Sequence, residues 1–98
     1  MEKDDINIFK KDCDSILKEC LKLNIIKHKD YGWGNISKFG LKGVILRLND
    51  KIERLINLSW KNKIPNNESI EDNLKDILNY AAIGLMIKRG KWKGLERS

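Results

Sequence analysis

Ninety-eight residues, 41% of them apolar and 35% charged, make one small domain with the balance of a soluble globular chain, which excludes disorder as the default. No apolar run approaches the ~18 residues of a membrane span, and the charged start Met1-Glu2-Lys3-Asp4-Asp5 lacks the apolar centre of a secretory signal. Twenty Lys and Arg against fourteen Asp and Glu leave +6, a field that draws nucleotides, nucleic acid or phosphate groups, unless it serves only to keep a lysine-rich surface solvated.

The expected fold class is all-α, with three main helices. The first is predicted over about 5–27, where Ile6, Phe9, Cys13, Ile16, Cys20 and Leu23 recur at 3-4-3-4-3 spacing, widened by Leu17 and Leu21. Cys13 and Cys20 lie about 10 Å apart on such a helix, beyond disulfide reach. No CxxC exists and His28 is the sole histidine, so a zinc site is not expected and both thiols read as small buried hydrophobes in a reducing compartment.

From 28 to 40 the helical period stops. His28-Lys29-Asp30-Tyr31-Gly32-Trp33-Gly34-Asn35 and then Gly40 read as a long loop, either functional or simply covering the core with Tyr31 and Trp33. A second helix is predicted over about 41–60 with the core stripe Ile45, Leu48, Ile52, Leu55 and Ser59, followed by a polar break around Pro65. The third, about 68–89, carries Ile70, Leu74, Ile77, Ala81 and Leu85 on one stripe and stops before Gly90, a natural C′ residue. Residues 80–87 are apolar all round. Three helices can hardly bury such a segment, so a homo-oligomer, most simply a dimer forming a larger helical bundle, is expected. Residues 90–98 read as a loosely ordered basic tail.

Carboxylates gather at the start of the third helix, with Glu68, Asp72 and Asp76 at i, i+4 and i+8 on one face. Helix-dipole and capping arguments account for Glu68 and Asp72 but not for Asp76, two turns in. Such oxygen donors suit Mg²⁺, which takes one or two carboxylates plus substrate phosphates. Lys27, His28 and Lys29 either complement the end of the first helix or clamp a phosphate while Tyr31 or Trp33 stacks on a base. On the second helix Arg47, Asp50, Lys51, Glu53 and Arg54 fall on different sides, so they cannot all serve one site within the chain. No nucleophile elbow, P-loop or dinucleotide fingerprint occurs.

Four segments occur in order: Lys29-Asp30-Tyr31-Gly32; Gly43-Val44-Ile45-Leu46-Arg47-Leu48-Asn49-Asp50-Lys51-Ile52-Glu53-Arg54-Leu55; Glu68-Ser69-Ile70-Glu71-Asp72; and Asp76-Ile77-Leu78-Asn79-Tyr80-Ala81. Together they resemble the phage-borne nucleotide modification associated domain 1 family over about residues 27–87. The carboxylate-bearing helices are more distantly similar to all-α nucleotide pyrophosphohydrolases of the MazG type. Those hold Mg²⁺ on Glu-x-x-Glu and Glu-x-x-Asp, whereas Asp50 and Glu53 give Asp-x-x-Glu here and Asp72 and Asp76 stand four apart.

The resemblance implies a small helical protein in the cytoplasm of a bacterial host that binds a nucleotide or nucleotide-derived phosphate. Lys27, Lys29, Arg47, Lys51 and Arg54 would supply charge, Tyr31 or Trp33 would stack, and Asn79 and Tyr80 would complete the nucleotide-binding set. Glu53, Glu68, Asp72 and Asp76 would hold Mg²⁺. Two uses stay open at this point: Mg²⁺-assisted attack of water on a nucleotide phosphorus, or non-catalytic counter-defence, in which the protein sequesters a host signalling nucleotide or inhibits a host defence protein.

Overall fold

The structure, a computed structural model, describes residues 2–60 and 67–96, with the side chains of 67–69 excepted. The described residues form three α-helices and no strand: α1 (Lys3–Tyr31), α2 (Gly34–Trp60) and α3 (Asn67–Lys88). The chain is therefore all-α, and among the described residues no helix is long and apolar enough to cross a membrane. The polar break around Pro65 lies outside the described residues.

The segment expected as a loop, 28–40, is almost wholly helical. α1 runs on through Tyr31 and stops at Gly32 (φ 69°, ψ −162°), whose N–H donates to the His28 carbonyl at 2.7 Å. α2 begins two residues later and is broken once, at Gly40 (φ 67°, ψ −157°). This backbone region is essentially reserved for glycine and costs other residues about 1–3 kcal/mol. The glycines thus act as two single-residue corners between helical pieces. Glycine density signals a corner as readily as a loop.

The core lies between α2, α3 and the returning C-terminal segment. Val44, Ile83, Ile87 and Trp92 are buried, with Trp33, Ile36, Leu41, Leu48, Tyr80, Met86 and Leu95 packed around them. On α2 the covered positions include Leu41, Val44, Leu48, Lys51 and Leu55, while Ile45 and Ile52 are exposed. On α3 they include Asn73, Asn79, Ile83, Gly84 and Ile87, while Leu74, Ala81 and Leu85 are exposed. Both helices are thus turned partly off the stripes expected of them: Leu48, Leu55, Ile70 and Ile77 stay covered, while Ile45, Ile52, Ser59, Leu74, Ala81 and Leu85 face out. The two helices meet at Gly84, where a side-chain carbon would lie 3.6 Å from Leu41 Cδ1 and 3.8 Å from Val44 Cγ1, ordinary contact distances. Leu41 and Val44 of α2 pack against α3 at that point, next to the buried Ile83 and Ile87.

α3 ends as expected at Gly90 (φ 68°). The Gly90 N–H donates to the Ile87 carbonyl and the Lys91 N–H to the Met86 carbonyl, a Schellman closure. The tail that follows is not loose. Trp92 is only 3% exposed. Its indole N–H donates to the Trp33 carbonyl at 3.1 Å, and the Ser37 hydroxyl donates to the Lys93 carbonyl at 2.7 Å. Burying an indole with its N–H satisfied outweighs the solvation of the lysines beside it.

α1 is attached by its C-terminal half alone. Cys20 is buried, Glu19 pairs with Lys75 of α3 at 2.8 Å, and residues 2–19 are exposed throughout. Cys13, expected inside, is exposed because neither α2 nor α3 reaches that stretch.

Candidate functional site

The three helices converge on a groove of about 370 Å³. Each contributes residues spaced a helical turn apart: Asn24, Lys27, His28 and Tyr31 from α1, Arg47 and Lys51 from α2, and Asp76, Asn79, Tyr80 and Ile83 from α3. Residues at i, i+3 and i+4 share a face. Once α1 and α2 each lay one face against α3, these side chains are brought together without any loop. Gly32, Asn35 and Ile36 close one end, and Trp92 of the returning tail lines the groove as well.

Asp76 is the hub. Lys27 Nζ donates to its Oδ1 at 2.7 Å and Lys51 Nζ lies 2.9 Å from its Oδ2, so one carboxylate ties α1 and α2 to α3. Its side chain is 14% exposed. Burial alone would raise the Asp76 carboxyl, but the hydrogen bonds and charges of Lys27 and Lys51 outweigh it and hold the group below its ordinary value. Arg47 forms no ion pair among the described residues. Lys27, Lys51 and Arg47 against Asp76 leave two positive charges in excess within the groove.

Beneath them, Asn79 is 7% exposed, and its Nδ2 is buried with no hydrogen-bond partner among the described residues. A buried amide donor left unmade costs about 1–3 kcal/mol, so its place in a groove lining is chemically informative. At the rim, Tyr31 is 71% exposed and presents a ring to solvent. Trp33 does not. Its ring meets His28 edge-on at 4.4 Å and Trp92 at 4.7 Å, and its carbonyl accepts from the Trp92 indole, with Ser37 Oγ 3.0 Å away. Trp33 is part of the scaffold that pins the tail.

Of the site residues expected from the sequence, Lys27, Tyr31, Arg47, Lys51, Asp76, Asn79 and Tyr80 meet in this groove. Lys29 and Trp33 face a second, apolar hollow on the other side of His28. Glu53, Arg54 and Asp72 are exposed and line neither, and the Glu68 side chain lies outside the described residues. The carboxylate row of α3 is therefore split: Asp76 turns inward to two lysines and Asp72 outward. Among the described residues no group of three or more His, Cys, Asp and Glu gathers to hold a cation. A Mg²⁺ ion at Asp76 would sit beside two ammonium groups that repel it, and the donor set suits an anion better. His28, read from the sequence with Lys27 as a candidate phosphate clamp, lines the groove too, whereas Asn24, Asn35 and Trp92 were not expected in the site. Asn24 was legible one turn before Lys27, whereas nothing in the sequence announced that the tail would fold back.

No curated protein and no solved structure matches the chain significantly. The family model for nucleotide modification associated domain 1 matches residues 27–87, a span that contains every groove residue contributed by α2 and α3 and all but Asn24 from α1. With that match over more than half its length, the chain belongs to the nucleotide modification associated domain 1 family.

Proposed function

We propose that the groove binds a nucleotide and holds it intact. Lys27, Lys51 and Arg47 take the phosphate, Tyr31 stacks against the base, and the Asn79 amide donates to an acceptor on the ligand. The observation that carries this reading is the unsatisfied Asn79 Nδ2 beneath a groove with two positive charges in excess. A ligand with acceptor atoms and negative charge answers both features at once. Asp76 serves here as the strut that holds two lysines in place, because both its oxygens are already engaged by ammonium groups. The family description, which places the domain near nucleotide modification, supports the same class of ligand.

The test is calorimetric titration with nucleoside mono-, di- and triphosphates and cyclic nucleotides, with and without Mg²⁺, followed by chromatography of the ligand after denaturation. The expected result is binding that Mg²⁺ does not create, with the ligand recovered unchanged. Losing a charge-assisted contact in Lys51→Met should weaken binding by about tenfold or more, while Asp76→Asn should retain it. Failure to retain any nucleotide would overturn the proposal. So would a Mg²⁺-dependent conversion abolished by Asp76→Asn, which would install the hydrolase in its place.

A further inference from the structure

We propose that a second copy of this chain covers the N-terminal half of α1, each copy laying that arm into the apolar hollow of the other. The arm is a helix with every residue exposed, joined to α3 at its end by the Glu19–Lys75 pair. Ile6, Phe9 and Ile16 of its stripe, with Leu17 beside them, are 41–64% exposed, and residues 2–19 carry no buried position at all. A helix of this kind is not stable by propensity alone and takes its stability from packing an apolar face.

The hollow on the body matches it. About 300 Å³ in volume, it is walled by Leu21, Ile25, Trp33, Ile83, Met86 and Trp92. One chain therefore offers both an unpartnered apolar ridge and an apolar hollow. Reciprocal exchange of the two between copies is a two-fold, self-complementary contact that closes on itself.

Charge points the same way. Residues 2–19 hold four Lys against six Asp and Glu, a net −2, and residues 20–98 hold sixteen Lys and Arg against eight Asp and Glu, a net +8. Arm against body is attractive, whereas arm against arm is not. Area agrees. The chain exposes 7941 Å², where a compact monomer of 11.4 kDa exposes about 5,800 Å². The excess, roughly 2,000 Å² per chain, is of the order that a permanent homodimer buries. The radius of gyration of 15.9 Å likewise exceeds the ~13 Å of a compact domain of this length.

Size-exclusion chromatography with light scattering on the full chain at tens of micromolar tests this. The expected mass is twice 11.4 kDa. Phe9→Glu on the arm and Ile25→Glu on the hollow, both at positions exposed in the single chain, should each halve it. Leu46→Glu, on the outer face of α2, should leave it unchanged. Far-UV circular dichroism confirms that each variant stays helical. A monomeric wild-type chain, or a dimer that survives either Phe9→Glu or Ile25→Glu, would overturn the proposal.

Discussion

Asn79 shows most directly how one residue can be placed for something other than folding. Its amide nitrogen is buried without a partner, so an apolar side chain of similar size removes a desolvation penalty rather than a contact. Asn79→Leu should therefore unfold at the same temperature as the wild type or higher, while its affinity for the nucleotide drops about tenfold, the worth of a hydrogen bond to a charged or strongly polar acceptor. Thermal melts and titrations on the same preparation check both halves. Asp76 behaves in the opposite way, because it stabilises the native chain. Its carboxyl is held below its ordinary value by Lys27 and Lys51 acting against burial. A depressed carboxylate contributes stability that is complete above the unfolded value, about pH 4, and is lost as pH falls through the folded one. The melting temperature should fall in that acid window, and the fall should be shallower in Asp76→Asn. An equal acid slope in both proteins would show that the two ion pairs add nothing.

At the scale of the element, the returning C-terminal segment does work that its composition hides. Lys91-Trp92-Lys93 looks like a solvated tail, yet Trp92 sits in the core with Val44, Ile83 and Ile87. Removing a buried large aromatic costs about 3–5 kcal/mol, a large share of the 5–15 kcal/mol of a small domain. Trp92→Ala should therefore lower the unfolding free energy by that amount in urea titrations, while Trp92→Phe should lose much less. The presence of three helices was legible from their period, and Gly90 marks the end of α3, but the helical stretch over 28–40 was not. Nor was the rotation of the helices. Ile45 and Ile52, like Leu74 and Leu85, face out, while α2 packs on α3 along Leu41, Val44 and Leu48, the first two meeting α3 at Gly84. That rotation brings Arg47 and Lys51 to the groove and leaves Glu53 and Arg54 outside.

For the whole molecule, the apolar residues left exposed on α1, α2 and α3 place much of the sequence-level hydrophobic pattern outside the single chain's core. If a second copy covers α1, stability depends on protomer concentration by mass action. A hundredfold rise in protein concentration should then raise the wild-type melting temperature by several degrees and leave that of Phe9→Glu unmoved. Differential scanning across that range is the check, and a wild-type midpoint independent of concentration would contradict the pairing.

The sequence by itself determined the helical class, the end of α3 at Gly90, the positive field, and the residue types of the groove. Those properties are local: they follow from period, capping chemistry and charge, and need no knowledge of what lies opposite. Only the tertiary structure decided which face of each helix turns inward, that Asp76 is spent on two lysines, that Trp33 belongs to the scaffold while Tyr31 faces solvent, and that the tail returns to the core. Each of those outcomes depends on contacts between residues far apart in the chain, where the fit of one helix on another or one half-buried carboxylate outweighs the average hydrophobicity of a stripe.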